Sequence, residues 1–288
     1  MLSIAGSDSG GGAGIQADLK AFASAGVHGM TAITAITAQN TVGVTDVHQI
    51  PGPTIVAQVR AIAEDIGVDA VKIGMLGDVP TIAAVEEALD LVAGAPIVLD
   101  PVMVAESGAA LLAPDARRAL VERILPRAAV VTPNLPEARE LARVGGGDAD
   151  DVDPDDSAAL ARAVHALGAR AVVVTGGHGA VLEDVFYDGR RLERLPGERY
   201  PDGAAHGSGC THSSTLAARL AHGDDPLTAA RVARRVAAQA VRDGLREIGA
   251  GAGPVDVLGL RARADAGAPG GGGSGGAPGH GSGEPEAV

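Results

Sequence analysis

Residues Ala70 to Asp100 read AVKIGMLGDVPTIAAVEEALDLVAGAPIVLD, and the periods in that stretch decide the fold. Pro96–Leu99 is a short run with no polar alternation, as a strand buried on both faces requires, and Ala70–Ile73 matches it apart from Lys72. Between them Thr81–Ala93 carries apolar residues at helical spacing. Strand, helix and strand in that order form a parallel crossover unit.

The same rhythm extends in both directions. Strands are expected near Leu2–Ala5, Met30–Thr37, Ala129–Val131 and Ala171–Thr175, and helices over Thr54–Ile66, Pro114–Leu125 and Ser157–Leu167. A hairpin around Asp188-Gly189 interrupts the alternation. Two long helices follow, one opening at the Gly207 to Cys210 turn and one at Asp225-Pro226, where Asp suits the cap and Pro the first helical position. The expected fold class is therefore α/β, a mostly parallel central sheet flanked by helices. Residues 1–260 are expected to form one domain, and the Gly/Ala/Pro-rich residues 261–288 a disordered tail or linker.

Composition narrows the function. The chain has 288 residues, 46% of them hydrophobic, enough for a large core, and a formal charge of −13. With no Trp, two Tyr and two Phe it lacks both the basic stripe and the aromatic platforms used on nucleic-acid polymers. One cysteine cannot form an internal disulfide, and no apolar run approaches the roughly 20 residues of a membrane span. A cytoplasmic protein is the expectation. The acidic run from Asp148 to Asp156 reads as a solvated loop rather than a metal site.

The chemistry concentrates in Ala205-His206-Gly207-Ser208-Gly209-Cys210-Thr211-His212-Ser213-Ser214. Two small-residue turns lead into a helix whose first turn holds the lone cysteine. N–H groups exposed at a helix start can hold an anion, and the positive end of the dipole would favour the thiolate. A competing reading makes Cys210 a small buried apolar residue and the glycines a tight turn.

Near the N-terminus, Gly6-Ser7-Asp8-Ser9-Gly10-Gly11-Gly12-Ala13-Gly14 lies between a strand and a helix. Gly12-x-Gly14-x-x-Ala17 formally fits a dinucleotide fingerprint, but that fingerprint needs an acidic residue at the end of the next strand. The next strand ends Thr37-Ala38-Gln39-Asn40-Thr41, which argues against a dehydrogenase. The glycines can instead admit a small substrate, with Asp8, Asp18 and Gln39 as polar contacts. The Gln39 amide matches an aminopyrimidine edge by offering donor and acceptor; the alternative is a strand-end side chain bonded to nearby backbone.

Asp100 follows a strand, where it could help hold magnesium or cap the next turn. Asn134 and Glu137, three apart in Thr132-Pro133-Asn134-Leu135-Pro136-Glu137, could hold metal-bound water or form a capping pair. Val174-Thr175-Gly176-Gly177-His178 ends a strand where backbone could pass a nucleotide. His28 and His48 show no metal-ligand spacing.

Taken together, these blocks and Lys72-Ile73-Gly74-Met75-Leu76 resemble the hydroxymethylpyrimidine/phosphomethylpyrimidine kinases of thiamine biosynthesis over residues 1–260. The resemblance implies a ribokinase-like three-layer fold, a homodimer, ATP and Mg2+, and two successive phosphorylations. It implies Cys210 as base, with Gly207, Ser208 and Gly209 as anion hole. Gln39, Asp18, Gly11, Ala13 and Met75 would surround the pyrimidine. Thr175, Gly177, Thr211 and Asn134 would face the nucleotide, and Asp100 and Glu137 the metal. Thr175 and Glu106 stand where many relatives carry lysine. The rival readings are pyridoxal kinase and a non-catalytic binder of thiamine precursors.

Overall fold

The computed structural model describes residues 1–146, 156–176, 182–201 and 203–267. One nine-stranded sheet organises them. In spatial order its strands are β3 (Val44–Gln49), β2 (Met30–Gln39), β1 (Leu2–Asp8), β4 (Val71–Ile73), β5 (Ile97–Leu99), β6 (Val130–Val131), β7 (Val172–Val174), β8 (Glu183–Tyr187) and β9 (Leu192–Pro196). The strands from β2 through β7 run parallel. β3, β8 and β9 pair antiparallel at the two edges.

Successive side chains on a strand point to opposite faces, so the apolar central strands serve two helical layers at once. Ile97 and Leu99 join one buried cluster, and Val98, between them, joins the other. The first layer holds α2 (Gly52–Asp65), α3 (Val79–Leu89), α4 (Pro114–Ala119), α5 (Leu135–Val144) and α6 (Ser157–Ala166). The second holds α1 (Gly14–Ser24), α7 (Ser208–Ala221) and α8 (Pro226–Arg242). The arrangement is the expected three-layer α/β sandwich.

Local chemistry sets the boundaries. Asp78 caps α3 by accepting the Thr81 N–H at 2.9 Å, and Asp225 caps α8 through the N–H groups of Leu227 and Thr228. The stretch read as one helix over Pro114–Leu125 changes character along its length. α4 passes into a π-helical turn at Leu120–Ile124 and a 3-10 turn at Leu125–Arg127. α9 (Leu260–Gly267) begins at the last residue of the expected domain and runs into the span expected to be tail; residues 268–288 lie outside the described ones. The acidic run lies outside them too, apart from Asp156, which caps α6.

One strand was illegible. β3 is exposed along most of its length and carries Thr45, Asp46, His48 and Gln49, so no apolar alternation marks it. Its pairing with β2 alone defines it. No helix among the described residues is long and apolar enough to cross a membrane.

Candidate active site

The strands β1, β2 and β4–β7 end on the same side of the sheet, where crevices in such folds lie. There a cavity of about 570 Å3 extends from Gln39 and Met75 at one end to Thr175, Asp184 and Arg234 at the other. The N-terminus of α7, packed on β4 and β5, borders its middle.

Glycine at the start of α7 is a steric requirement. Gly207 has φ +84°, and a Cβ on it would stand 1.7 Å from the Gly12 carbonyl oxygen. Asp8 ties the two segments together. Its carboxylate accepts the N–H groups of Gly10, Gly12 and Ala13 at 2.8, 3.0 and 2.8 Å and lies 3.0 Å from His206 Nε2. A Cβ on Gly12 would meet the His206 ring at 2.0 Å. The N-terminal glycines thus allow two backbone segments to close on each other.

No side chain caps α7. Ser208 donates its N–H to Ala205 and Thr211 to Gly207, while the N–H groups of Gly209 and Cys210 find no acceptor among the described residues. These are the free donors of an uncapped helix start. Gly207, Ser208, Gly209 and Cys210 all line the cavity.

Behind the cysteine lies a buried charged network. Lys72 Nζ sits 2.8 Å from Asp18 Oδ1 and 3.8 Å from Asp100 Oδ2. Ser3 and Ser214 donate to Asp18 at 2.5 and 2.7 Å, and Ser213 to Asp100 at 2.9 Å. Burial alone would depress the lysine, but Asp18, the Cys210 sulfur and Asp100 outweigh it and hold Lys72 above the usual range. The same network corrects the expectation of a thiolate. Burial pushes the Cys210 thiol up to about 12, and the charges of Asp18 and Asp100 oppose what Lys72 and the Gly14 N–H offer in the other direction. Burial thus works against the thiolate that the helix start was expected to favour.

Asn134 and Glu137 form a capping box on α5: Asn134 Oδ1 accepts the Glu137 N–H at 2.9 Å, and Glu137 Oε2 accepts the Asn134 N–H at 3.0 Å. The capping alternative is therefore realised, yet both side chains also line the cavity. Burial and then the neighbouring Asp100 charge push the Glu137 carboxyl up to about 8. Burial likewise raises Asp100, which Lys72 and Ser213 only partly offset. No group of three or more His, Cys, Asp or Glu able to hold a metal occurs among the described residues. Two buried, mutually repelling carboxylates do suit Mg2+, which takes one or two carboxylates and keeps water and phosphate oxygens.

Of the other expected site residues, Gln39, Ala13, Met75, Thr175, Asn134 and Asp100 line the cavity. Three do not. Asp18 is fully buried and spent on Lys72, Ser3 and Ser214; a charge this deep is held by partners rather than offered to a ligand. Gly11 turns its carbonyl to Lys20 Nζ at 2.7 Å. Thr211 is fully buried on the helix. Gly177 lies outside the described residues, as does His178.

Gln39 keeps its amide available. Its backbone N–H and C=O pair with Ser9 Oγ at 2.8 and 2.6 Å, and only Oε1 of the side chain is met, by Thr37 Oγ1 at 3.3 Å. Sequence reasoning missed the far wall, where Asp184, His212 and Arg234 gather from β8, α7 and α8. Burial would raise Asp184, but His212, Arg234 and the Gly176 N–H hold it below the usual carboxylate range. Asp184 follows Glu183 in a strand, so only its polarity among apolar neighbours could have marked it.

Comparisons with known proteins give the family. Residues 8–256 match the family model described as phosphomethylpyrimidine kinase. The chain is 50% identical over 257 residues to the hydroxymethylpyrimidine/phosphomethylpyrimidine kinase of Rhizobium meliloti, covering 88% of this chain and 95% of that one. It is similar to an ADP complex of Bacillus subtilis pyridoxal kinase, with TM-score 0.78, 39% identity, and 90% and 97% of the two chains covered. Staphylococcus aureus pyridoxal kinase in complex with AMP-PCP gives TM-score 0.79 at 34% identity, with 90% and 93% covered.

Proposed function

The chain belongs to the phosphomethylpyrimidine kinase family, and we propose that it transfers the γ-phosphoryl group of ATP to 4-amino-5-hydroxymethyl-2-methylpyrimidine and then to the monophosphate, with Cys210 as the base. Kinase activity in thiamine biosynthesis is the activity of the family. One observation carries the assignment of roles. A lone thiol and two unpartnered N–H groups border the middle of a single cavity, with Gln39 and Met75 at one end and Thr175 at the other.

Phosphoryl transfer needs positioning and charge stabilisation more than covalent chemistry. Gln39 reads the aminopyrimidine edge with its free amide nitrogen, and Met75 and Ala13 pack against the ring. The acceptor hydroxyl then faces Cys210, whose sulfur, once its own proton has gone to solvent, takes the hydroxyl proton as the oxygen attacks the γ-phosphorus and the bond to ADP breaks. The Gly209 and Cys210 N–H groups, with Gly207 and Ser208 shaping the turn, hold the transferring oxygens. Thr175 and Asn134 face the nucleotide. Asp100 and Glu137 would hold Mg2+, which would supply positive charge to neutralise the phosphates.

We further propose residues 1–260 as the catalytic domain, a homodimer and a cytoplasmic setting. The decisive assay incubates the purified chain with Mg-ATP and the hydroxymethylpyrimidine, with pyridoxal in parallel, and identifies products by mass. Mono- and diphosphate of the pyrimidine are expected. Pyridoxal phosphate alone would move the assignment to the rival kinase, and pyrimidine binding without ADP release would make the chain a binder.

A further inference from the structure

We propose that His212, held by Asp184 and flanked by Arg234, binds the phosphate chain of the nucleotide beyond the γ-phosphate. The inference rests on the kinase reading of the cavity and assigns a side chain that this reading leaves unused.

Buried polar atoms nearly always find a hydrogen-bond partner, so those that do not need a reason. Among the described residues eight buried side-chain nitrogen and oxygen atoms have none. Half of them belong to this one cluster: Asp184 Oδ2, His212 Nδ1, His212 Nε2 and Arg234 Nε. The three side chains are 0%, 5% and 15% exposed and come from three different elements, yet all border the cavity. Ordinary core polar groups would have been satisfied locally.

The contacts are loose. His212 Nε2 lies 3.4 Å from Asp184 Oδ2, outside the usual range of about 2.7–3.2 Å for N–H···O. Arg234 reaches Asp184 Oδ1 at 3.3 Å and the Leu182 carbonyl at 3.4 Å. Only the Gly176 N–H, 3.1 Å from Asp184 Oδ1, is well placed. The cluster is thus assembled but not closed on itself.

Its chemistry selects the ligand. A guanidinium and an imidazole bring more donors than one carboxylate can accept, and the surplus suits an anion with several acceptor oxygens. Asp184 beside Nε2 takes that nitrogen's N–H, and Nδ1 donates to the ligand when the ring carries both protons, a form that an adjoining anion and Asp184 both favour. Helix geometry supplies the place. His212 stands three and four residues beyond Gly209 and Ser208, so it lies on the same face of α7, one turn further along. A phosphoryl group held at the Gly209 and Cys210 N–H groups leaves the next phosphate of a chain beside His212. A nucleoside without phosphates would not reach it in this way.

The test is calorimetric titration of the full chain with ADP and with adenosine, both without added Mg2+, so that Asp100 and Glu137 do not enter. His212→Gln keeps an amide for Asp184 and loses the second ring donor. ADP binding is expected to weaken at least fivefold and adenosine binding to change less than twofold, with the pyrimidine KM unmoved. Unchanged ADP affinity, or ADP and adenosine weakening together, overturns the proposal. Should His212→Gln not fold, the imidazole NMR resonances of the unmutated chain decide: ADP must shift those of His212 and adenosine must not. A wild-type chain that phosphorylates no alcohol defeats the kinase reading itself. Wild-type turnover with an indifferent His212→Gln defeats only this inference.

Discussion

Gly207 and Gly12 pack so closely that a Cβ on Gly207 would lie 1.7 Å from the Gly12 carbonyl oxygen, a distance no side chain tolerates. The contact couples the glycine-rich loop after β1 to the first turn of α7, and hence one end of the cavity to its middle. Gly207→Ala must separate the two segments or twist the helix start. Its turnover is expected to fall by on the order of 10² or more, the scale of losing oriented oxyanion donors. Gly94→Ala is the matched control: Gly94 has φ +100° but nothing within 4 Å of a built Cβ. It should cost about 1–2 kcal/mol of stability from backbone strain alone and leave kcat unchanged. Equal turnover in the two variants would discard the coupling.

The buried pair Lys72–Asp18 makes a second prediction. Both side chains are 0% exposed. Removing one partner strands a charge in the core, so Lys72→Met is expected to cost about 3–5 kcal/mol in urea unfolding. The loss should shrink when Asp18→Asn accompanies it, because the stranded carboxylate is then gone. Additive losses would mean that the two residues act independently.

Much of this was legible in the residues because burial writes a pattern. Strands apolar on both faces, such as Ile97-Val98-Leu99, announced a parallel sheet between two helical layers, and Asp225-Pro226 announced α8. Exposed β3 wrote nothing, since an edge strand wetted on both faces has no reason to alternate. At the site, the glycine turn and Cys210 were readable because glycine and cysteine are scarce choices with few physical reasons. Asp18 misled for the opposite reason. A carboxylate four residues into a helix looks available to a ligand, and only the Lys72 that arrives from β4, 54 positions along the chain, shows it to be spent. Asp184, His212 and Arg234 meet through tertiary structure alone, so no local spacing could mark them.

Glu140 carries a third prediction, on acid stability. Its carboxyl is lowered to about 2, first by hydrogen bonding from Arg143 and then, against a burial effect of opposite sign, by Arg117. A folded-state value depressed below the unfolded one near 4.5 contributes stability above pH 4.5 that is lost as pH falls toward 2. Arg143 is 59% exposed, so solvent and salt screen much of the effect. Glu140→Gln is expected to cost about 1 kcal/mol at pH 7. The gap from wild type in urea midpoint should narrow between pH 4.5 and 3, and should also narrow in high salt. A gap that stays constant with pH would assign the effect to packing.

Cys210 gives the cleanest prediction because the chain has no other cysteine. With the thiol pushed up to about 12, the ligand-free protein holds on the order of 10³ less thiolate near neutral pH than a free cysteine of pKa about 8.5. Iodoacetamide should therefore label it slowly, at a rate rising about tenfold per pH unit up to the pH at which the fold fails. On the proposed roles, Mg-ATP would place a cation near Asp100 and a phosphate at the helix start. Their opposing fields can be separated by labelling with Mg2+ alone, which should speed the reaction by relieving the Asp100 charge. Rapid labelling at pH 7 without ligand would show that the dipole outweighs burial after all. Cys210→Ala should independently reduce kcat by on the order of 10² while leaving the pyrimidine KM nearly unchanged, since a general base acts in the transition state rather than in binding. Near-normal turnover in that variant would leave the anion-binding turn intact and remove the sulfur from the reaction.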